Sequence, residues 1–219
     1  MIPISISPEV KTKCPQLQLG CIQCKLIVTN NYPELLALIQ EELSELQQRL
    51  TLADIANIPT IQSSRIGYKA LGKDPARYRL SAEALLRRVV KGKGLYQVNN
   101  VVDLLNLTSV KSGYSIGGYD ADKIKGEIIL GIGKANEPYE AIGRGGLNIE
   151  FLPTFRDEQS AFGSPTSDST RTMVTPQTTH FLMPIFNFGK HKNLKEVMQG
   201  AVSLLEKYAE AKKVKIWIA

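Results

Sequence analysis

The sequence predicts an α+β domain in which helices flank a central, sandwich-like β layer. Three observations lead there. Apolar residues recur at helical spacing in the first half of the chain and again near its end. Short β-branched runs separated by Gly, Pro, Ser and Thr lie between, and strict β-α-β alternation is missing. With 219 residues, 43% hydrophobic and 22% charged, the chain can bury one sizeable core, and 1–219 reads as a single domain.

Cys21–Thr29 reads as a β-branched strand. A helix follows from Pro33, where proline is pre-organised for a first helical position. Leu35, Ile39, Leu43, Leu46 and Leu50 then mark one face. Ser81 is expected to cap a helix running to Val90, with Gly92 as its stop, and Asn99 to cap another running to about Leu107. Gly126–Ile132 and His180–Phe186 are strand candidates. The polar stretch Arg156–Thr179 reads as a long irregular loop, a length that is often functional. Asn193 and Glu196 have capping-box spacing ahead of a helix with Leu194, Val197, Met198, Ala201, Leu204, Leu205 and Tyr208 on one face. Val214–Ile218 reads as a closing strand.

Composition excludes several classes. No run is long and apolar enough to span a membrane, and MIPISISPEV lacks a basic region followed by an apolar core, so a cytoplasmic protein is expected. Cys14, Cys21 and Cys24 are odd in number, which argues against a disulfide framework. Cys21 and Cys24 have C-x-x-C spacing but no second pair and only two histidines elsewhere, so packed thiols are expected and no metal or other cofactor.

Charge is distributed unevenly. Between Arg65 and Lys93 there are nine Lys or Arg against two acids, a local +7, while the whole chain carries +6. Tyr32–Asp54 carries five acids against Arg49. A polyanion is the first partner such a field suggests, and Arg65, Lys69, Arg77, Arg87 and Arg88 are the candidate phosphate contacts.

Two constellations could carry chemistry. Asn99, Asp103 and Asn106 fall at i, i+4 and i+7, one polar face on an otherwise apolar helix. Gly117 and Gly118 lie in a turn whose backbone a ligand could approach, but the run fits neither G-x-G-x-x-G nor a Walker A loop. The later Gly143–Gly146 run reads as another turn. Asp168 and Arg171 are close enough in sequence to pair. His180 and His191 have no obvious Ser or Cys partner, so no catalytic triad is legible.

At Asn99-Asn100-Val-Val-Asp103, followed by Asn106, Tyr119-Asp120 and Asp122-Lys-Ile124-Lys-Gly126, the chain resembles the editing (B3/4) domain of the phenylalanyl-tRNA synthetase β chain, here without an aminoacylation module. Upstream, Arg65, Tyr68, Leu71-Gly72, Asp74-Pro75 and Ser81–Leu86 resemble free-standing members, and the likeness covers about residues 60–190. The resemblance implies an α+β fold and hydrolysis of mischarged aminoacyl-tRNA in trans, by a positioned water and the tRNA's own 3′ end. It places Asn106, Asp120 and Asp168 in catalytic roles. Asn99, Asn100, Asp103, Gly117, Gly118, Tyr119 and Arg171 fall around the aminoacyl group. Where the synthetase pocket has Thr-Asn, this chain has Leu105-Asn106; where it has His, this chain has Gly117; Gly163–Asp168 is nearest to its G-G-Glu loop. A roomier pocket with weaker preference for tyrosine is therefore expected. The partner implied is aminoacylated tRNA, with no DNA and no membrane. A non-catalytic amino-acid or RNA-binding module, or a hydrolase of a free small molecule, are the alternatives.

Overall fold

The computed structural model describes all 219 residues, in which seven α-helices surround two four-stranded sheets. The helices are α1 (Pro8–Lys13), α2 (Pro33–Arg49), α3 (Leu52–Ile55), α4 (Pro59–Leu71), α5 (Ser81–Val90), α6 (Asn100–Ser112) and α7 (Leu194–Ala209). The strands are β1 (Ile4–Ile6), β2 (Gln18–Lys25), β3 (Tyr119–Asp120), β4 (Ile128–Ile132), β5 (Glu140–Ala141), β6 (Gly145–Gly146), β7 (Pro153–Arg156), β8 (Ala161–Gly163), β9 (His180–Asn187) and β10 (Lys212–Ile218). One sheet has the order β1-β4-β7-β8 and the other β10-β2-β9-β3, while β5 and β6 form a small hairpin. The fold is α+β, as the residue pattern predicts.

Aromatic rings fasten the two sheets together. Phe155 of β7 meets Phe186 of β9 with ring centroids 5.0 Å apart, and Tyr119 of β3 meets Phe162 of β8 edge-on at 5.0 Å. All four rings are buried, which places large apolar area and favourable quadrupole geometry in the space between the sheets. On the outer side of the second sheet, α7 lies close over β2 because Gly20 has no side chain. A Cβ there would sit 2.8 Å from both Leu194 Cδ1 and Met198 Sδ.

The centre of the helical layer is α6. It is buried on almost every side, as expected of a helix enclosed by neighbours rather than lying on a surface. Asn100 ties its first turn to two other elements. The side-chain carbonyl accepts from the Thr29 amide at 2.9 Å, and the side-chain NH2 donates to Ile27 O at 3.0 Å and Tyr208 O at 2.9 Å. Asn99 accepts from the Val102 amide at 2.9 Å, the expected cap. The helix continues past Leu107 to Ser112 and ends at Gly113, whose φ of +72° suits a left-handed cap.

Several expectations need correcting. The strand expected at Cys21–Thr29 is β2, which runs Gln18–Lys25, because Leu26 and Ile27 bond singly to Thr179 and Ala209 rather than continuing a ladder. Ser81 is the first helical residue of α5, not its cap; its amide donates to Pro165 O at 2.8 Å. Asn193 forms no capping box, since its side-chain oxygen accepts from Tyr114 Oη at 2.7 Å. Arg156–Thr179 is not an irregular surface loop. It carries β8 and buries Ser164, Thr166, Ser169, Thr172 and Thr178. Some of its hydroxyls are turned onto its own backbone, as where Ser164 Oγ accepts from the Thr166 and Ser167 amides at 3.3 and 3.2 Å, and others onto buried partners, as where Thr166 Oγ1 meets Tyr68 Oη at 2.9 Å. A polar composition hides there as internal hydrogen bonding.

All three cysteines are buried, and burial pushes the Cys21 and Cys24 thiols up to about 12. Cys21 faces the core from the middle of β2, where it packs as a small apolar group.

Asn100→Ala should destabilise the protein by about 2–3 kcal/mol, because three backbone groups in part-buried hydrogen bonds lose their partner at once. Chemical denaturation checks this: the midpoint should fall with an unchanged denaturant slope.

Candidate functional site around Asp168

The two residues of β3 fix the geometry of this region. Pairing with β9 (Tyr119↔Leu182, Asp120↔Phe181) turns the Tyr119 ring into the space between the sheets. There it is fully buried, with its hydroxyl donating to Asp168 Oδ1 at 2.7 Å. The Gly118 amide donates to the other carboxyl oxygen at 3.3 Å.

Three glycines make that arrangement fit. A Cβ at Gly117 or Gly163 would lie 2.2 or 2.1 Å from the Tyr119 hydroxyl, and one at Gly118 would lie 2.6 Å from Leu105 Cδ1. None of the three has a positive φ, so they are needed for space rather than for unusual backbone. The expectation of a roomier pocket at Gly117 is therefore not met, since the Tyr119 phenol fills that room. By contrast, Gly143 and Gly145 do adopt positive φ, +68° and +72°, in the turn joining β5 to β6.

Asp168 is half-buried as a residue, but its carboxyl is walled in. Burial raises its pKa to about 7, and the hydrogen bonds from Tyr119 and Gly118 only partly oppose that. Tyr139, which donates to Ser167 O at 2.7 Å, has its phenol pushed far up, first by burial and then by the Asp168 charge. A carboxyl whose proton affinity burial raises toward neutrality departs from ordinary surface behaviour, as groups at functional sites often do.

The other expected site residues are placed as follows. Asp120 accepts from Thr178 Oγ1 at 2.9 Å and from the Asp122 amide at 3.2 Å, where it caps a short 3-10 turn. Asp103 accepts from Tyr32 Oη at 2.7 Å and from the Val98 amide at 2.9 Å, and burial raises its pKa. Asn99 and Asn100 hold the start of α6, as described above. Asn106 is half-buried and engages no other side chain, which leaves its amide available. The structure thus brings Gly117, Gly118, Tyr119 and Asp168 together and commits Asn99, Asn100 and Asp103 to holding chain segments. Arg171 does not pair with Asp168: it donates to Asp157 Oδ1 at 2.9 Å, Gln159 Oε1 at 2.8 Å and Lys123 O at 3.1 Å. His191, expected to lack a serine partner, has Ser63 Oγ 3.0 Å from its Nε2. Ser63 also donates to Thr60 O at 3.1 Å, so its proton is directed away from the imidazole.

The cationic segment folds as the end of α4, a turn, and α5. Glu83 is 1% exposed and receives three guanidinium groups: Arg65 at 2.8 Å, Arg87 at 3.0 Å and Arg79 at 3.7 Å. One carboxylate thus organises three cations and neutralises one. Lys73 is buried and donates to Asn148 O at 3.1 Å. Lys69, Arg77, Lys91 and Lys93 are exposed. Arg79 and Glu83 were not singled out in the sequence, although their i, i+4 spacing with Arg87 was visible there.

Asp168→Asn should flatten the pH dependence of stability. In the native state the Asp168 pKa lies above its unfolded value. Its contribution is therefore fully present below about pH 4 and lost as pH rises toward 7, at no more than about 1.4 kcal/mol per unit. Thermal melts at pH 5 and pH 8 should differ less in the variant. Gly163→Ala should displace Tyr119 and cost at least about 2 kcal/mol, because a methyl group inserted beside the phenol overpacks the inter-sheet core.

No curated protein matches the sequence. The N-terminal fragment of the phenylalanyl-tRNA synthetase β-subunit from Pyrococcus horikoshii is similar at 14% identity with a TM-score of 0.48, over 98% of this chain and 50% of that one. This chain thus spans about half the length of that fragment. No helix is long and apolar enough to cross a membrane. The family model described as the B3/4 domain matches residues 64–210, running from α4 through the Asp168 region to the end of α7, and the chain belongs to that family.

Proposed function

We propose that the protein binds tRNA through the basic surface of α4 and α5 and hydrolyses mischarged aminoacyl-tRNA in trans. The observation that carries this reading is the Asp168 carboxyl, held by Tyr119 and Gly118 beside Leu105 and poised to ionise near neutrality. Ionised Asp168 receives the ammonium of the esterified amino acid, and the Asn106 amide orients the carbonyl or the water. The water oxygen attacks the ester carbonyl, the bond from that carbon to the ribose oxygen breaks, and the water's proton passes to the ribose oxygen. No protein nucleophile is required, consistent with the direction of the Ser63 proton. Family membership and the basic face both support a tRNA partner, whose phosphates the exposed Lys69, Arg77, Lys91 and Lys93 would meet first.

A non-catalytic amino-acid or RNA-binding module is the second reading. It is favoured by the way Tyr119 and Leu105 fill the space at Gly117 and Gly118. Incubation with a panel of mischarged tRNAs separates the two, because release of free amino acid requires the first.

Alanine at Asp168 or Asn106 should lower the deacylation rate by about tenfold or more in folded protein, equivalent to ~1.4 kcal/mol of transition-state stabilisation. Full activity in both variants would sink the assignment. Replacing Lys69 and Arg77 with Gln should weaken tRNA binding and reduce the salt dependence of log K by about two, one for each phosphate contact. Arg87→Glu is a different experiment: it puts a second carboxylate against buried Glu83 and should cost stability first.

A further inference from the structure

A cleft of about 320 Å³ opens between α2 and the segment that follows α5, and none of the residues around Asp168 lines it. Its two walls differ in chemistry. From α2 come the aliphatic side chains of Leu36, Ile39 and Leu43, with Gln40 among them; from the opposite side come Lys93, Tyr96 and Gln97, and Asp103 of α6 also lines the cleft, its two carboxyl oxygens taken up by Tyr32 Oη and the Val98 amide. Tyr96 is 58% exposed, yet its ring is not free, because the Arg88 guanidinium lies over it 4.0 Å from the centroid. Arg88 Nε is buried without a hydrogen-bond partner, a costly placement for a charged group. Gly92 and Gly94, at φ of +73° and +59°, leave the loop backbone bare, with nothing within 4 Å of where a Cβ would stand.

We infer that this cleft seats one unpaired nucleotide, its base stacked on Tyr96 against the aliphatic wall of α2. The amides of Gln40 and Gln97 meet the base edge, and Lys91 and Lys93 meet the phosphate. The volume lies at the lower end of the range for small-ligand sites and accommodates a single base. A ring already backed by a guanidinium is pre-ordered for stacking, and stacking tolerates any base. Charge sets the orientation. The exposed Glu41 and Glu45 on α2 repel a phosphate, while the lysines of the opposite loop attract it. An apolar peptide would use the leucines but would leave the Arg88–Tyr96 stack and the lysines without a role.

The nucleotide can be free or can be a base splayed from a single strand. The inference rests on the tRNA-binding reading only for that second source. The test uses the full chain, with adenosine monophosphate followed by calorimetry, and a five-nucleotide single-stranded RNA and its duplex followed by fluorescence anisotropy. Tyr96→Ala should weaken single-strand binding about tenfold, Tyr96→Phe should stay within about twofold of the parent, and duplex binding should not change. Lys93→Gln, at an exposed position, should lower the single-strand salt slope by about one. A parallel loss of monophosphate binding in Tyr96→Ala identifies the free nucleotide as a sufficient ligand; no monophosphate binding at all, with the single-strand loss intact, identifies the strand. Unchanged single-strand affinity in Tyr96→Ala, or an equal loss on duplex, overturns the inference. Absence of deacylation leaves these readouts untouched, so the two readings fail separately.

Discussion

Much of this molecule follows from burying one phenol between two sheets. The Tyr119 ring contributes to the aromatic contact that joins them, but its hydroxyl cannot enter an apolar core without a partner. Asp168 is that partner, and it must be brought in from a distant stretch of chain. The demand propagates outward. Gly117 and Gly163 must lack side chains, β8 must run alongside, and the serines and threonines of 164–169 must satisfy one another where water is scarce. A carboxyl placed there to serve a structural hydrogen bond acquires, by the same burial, a raised proton affinity.

A second organising centre works by the opposite rule. Around Glu83 charge is concentrated rather than excluded, with three guanidinium groups sharing one carboxylate at a helix interface. Each guanidinium has further N–H groups not used by Glu83, so the assembly retains outward-facing donors whose positions are held from behind. The basic field read in the sequence is real, but part of it is anchored. Arg65 and Arg87 are held by Glu83, whereas Lys69 and Arg77 are exposed.

Legibility in the sequence followed the physical origin of each feature. α2 and α6 were readable because their apolar spacing and end signals are local, and Asn99 caps as its residue type suggests. α4 carries the same kind of signal in Pro59, Gly72 and the spacing of Ile61, Ser64, Tyr68 and Leu71, but charged residues interrupt its apolar face. The 156–179 stretch could not be read, because hydroxyls that bond inward look the same in sequence as hydroxyls that face water. Of the candidate residues legible in the sequence, Gly117, Gly118, Tyr119 and Asp168 lie together in the fold. That Gly117 and Gly118 make room for side chains rather than for a ligand depends on where Tyr119 and Leu105 come to rest, which only the folded chain reveals.

The pairing of β10 with β2 carries a consequence for how the molecule is made. Trp217 lies opposite Cys21, and Ile218 opposite Gly20, so one edge of the second sheet joins segments at opposite extremes of the 219 residues. The parallel pairing of β1 with β4 likewise waits on residues far downstream. During synthesis, β2 must wait for its neighbour on either side, first β9 and then β10, before its backbone is satisfied. Contacts of such long sequence separation close slowly, because the loop entropy is spent before the pairing is gained. Until then the half-finished sheet exposes Ile22 and its neighbours on an open edge, a state in which the nascent chain depends on speed of completion or on a protective partner to avoid pairing with another copy of itself.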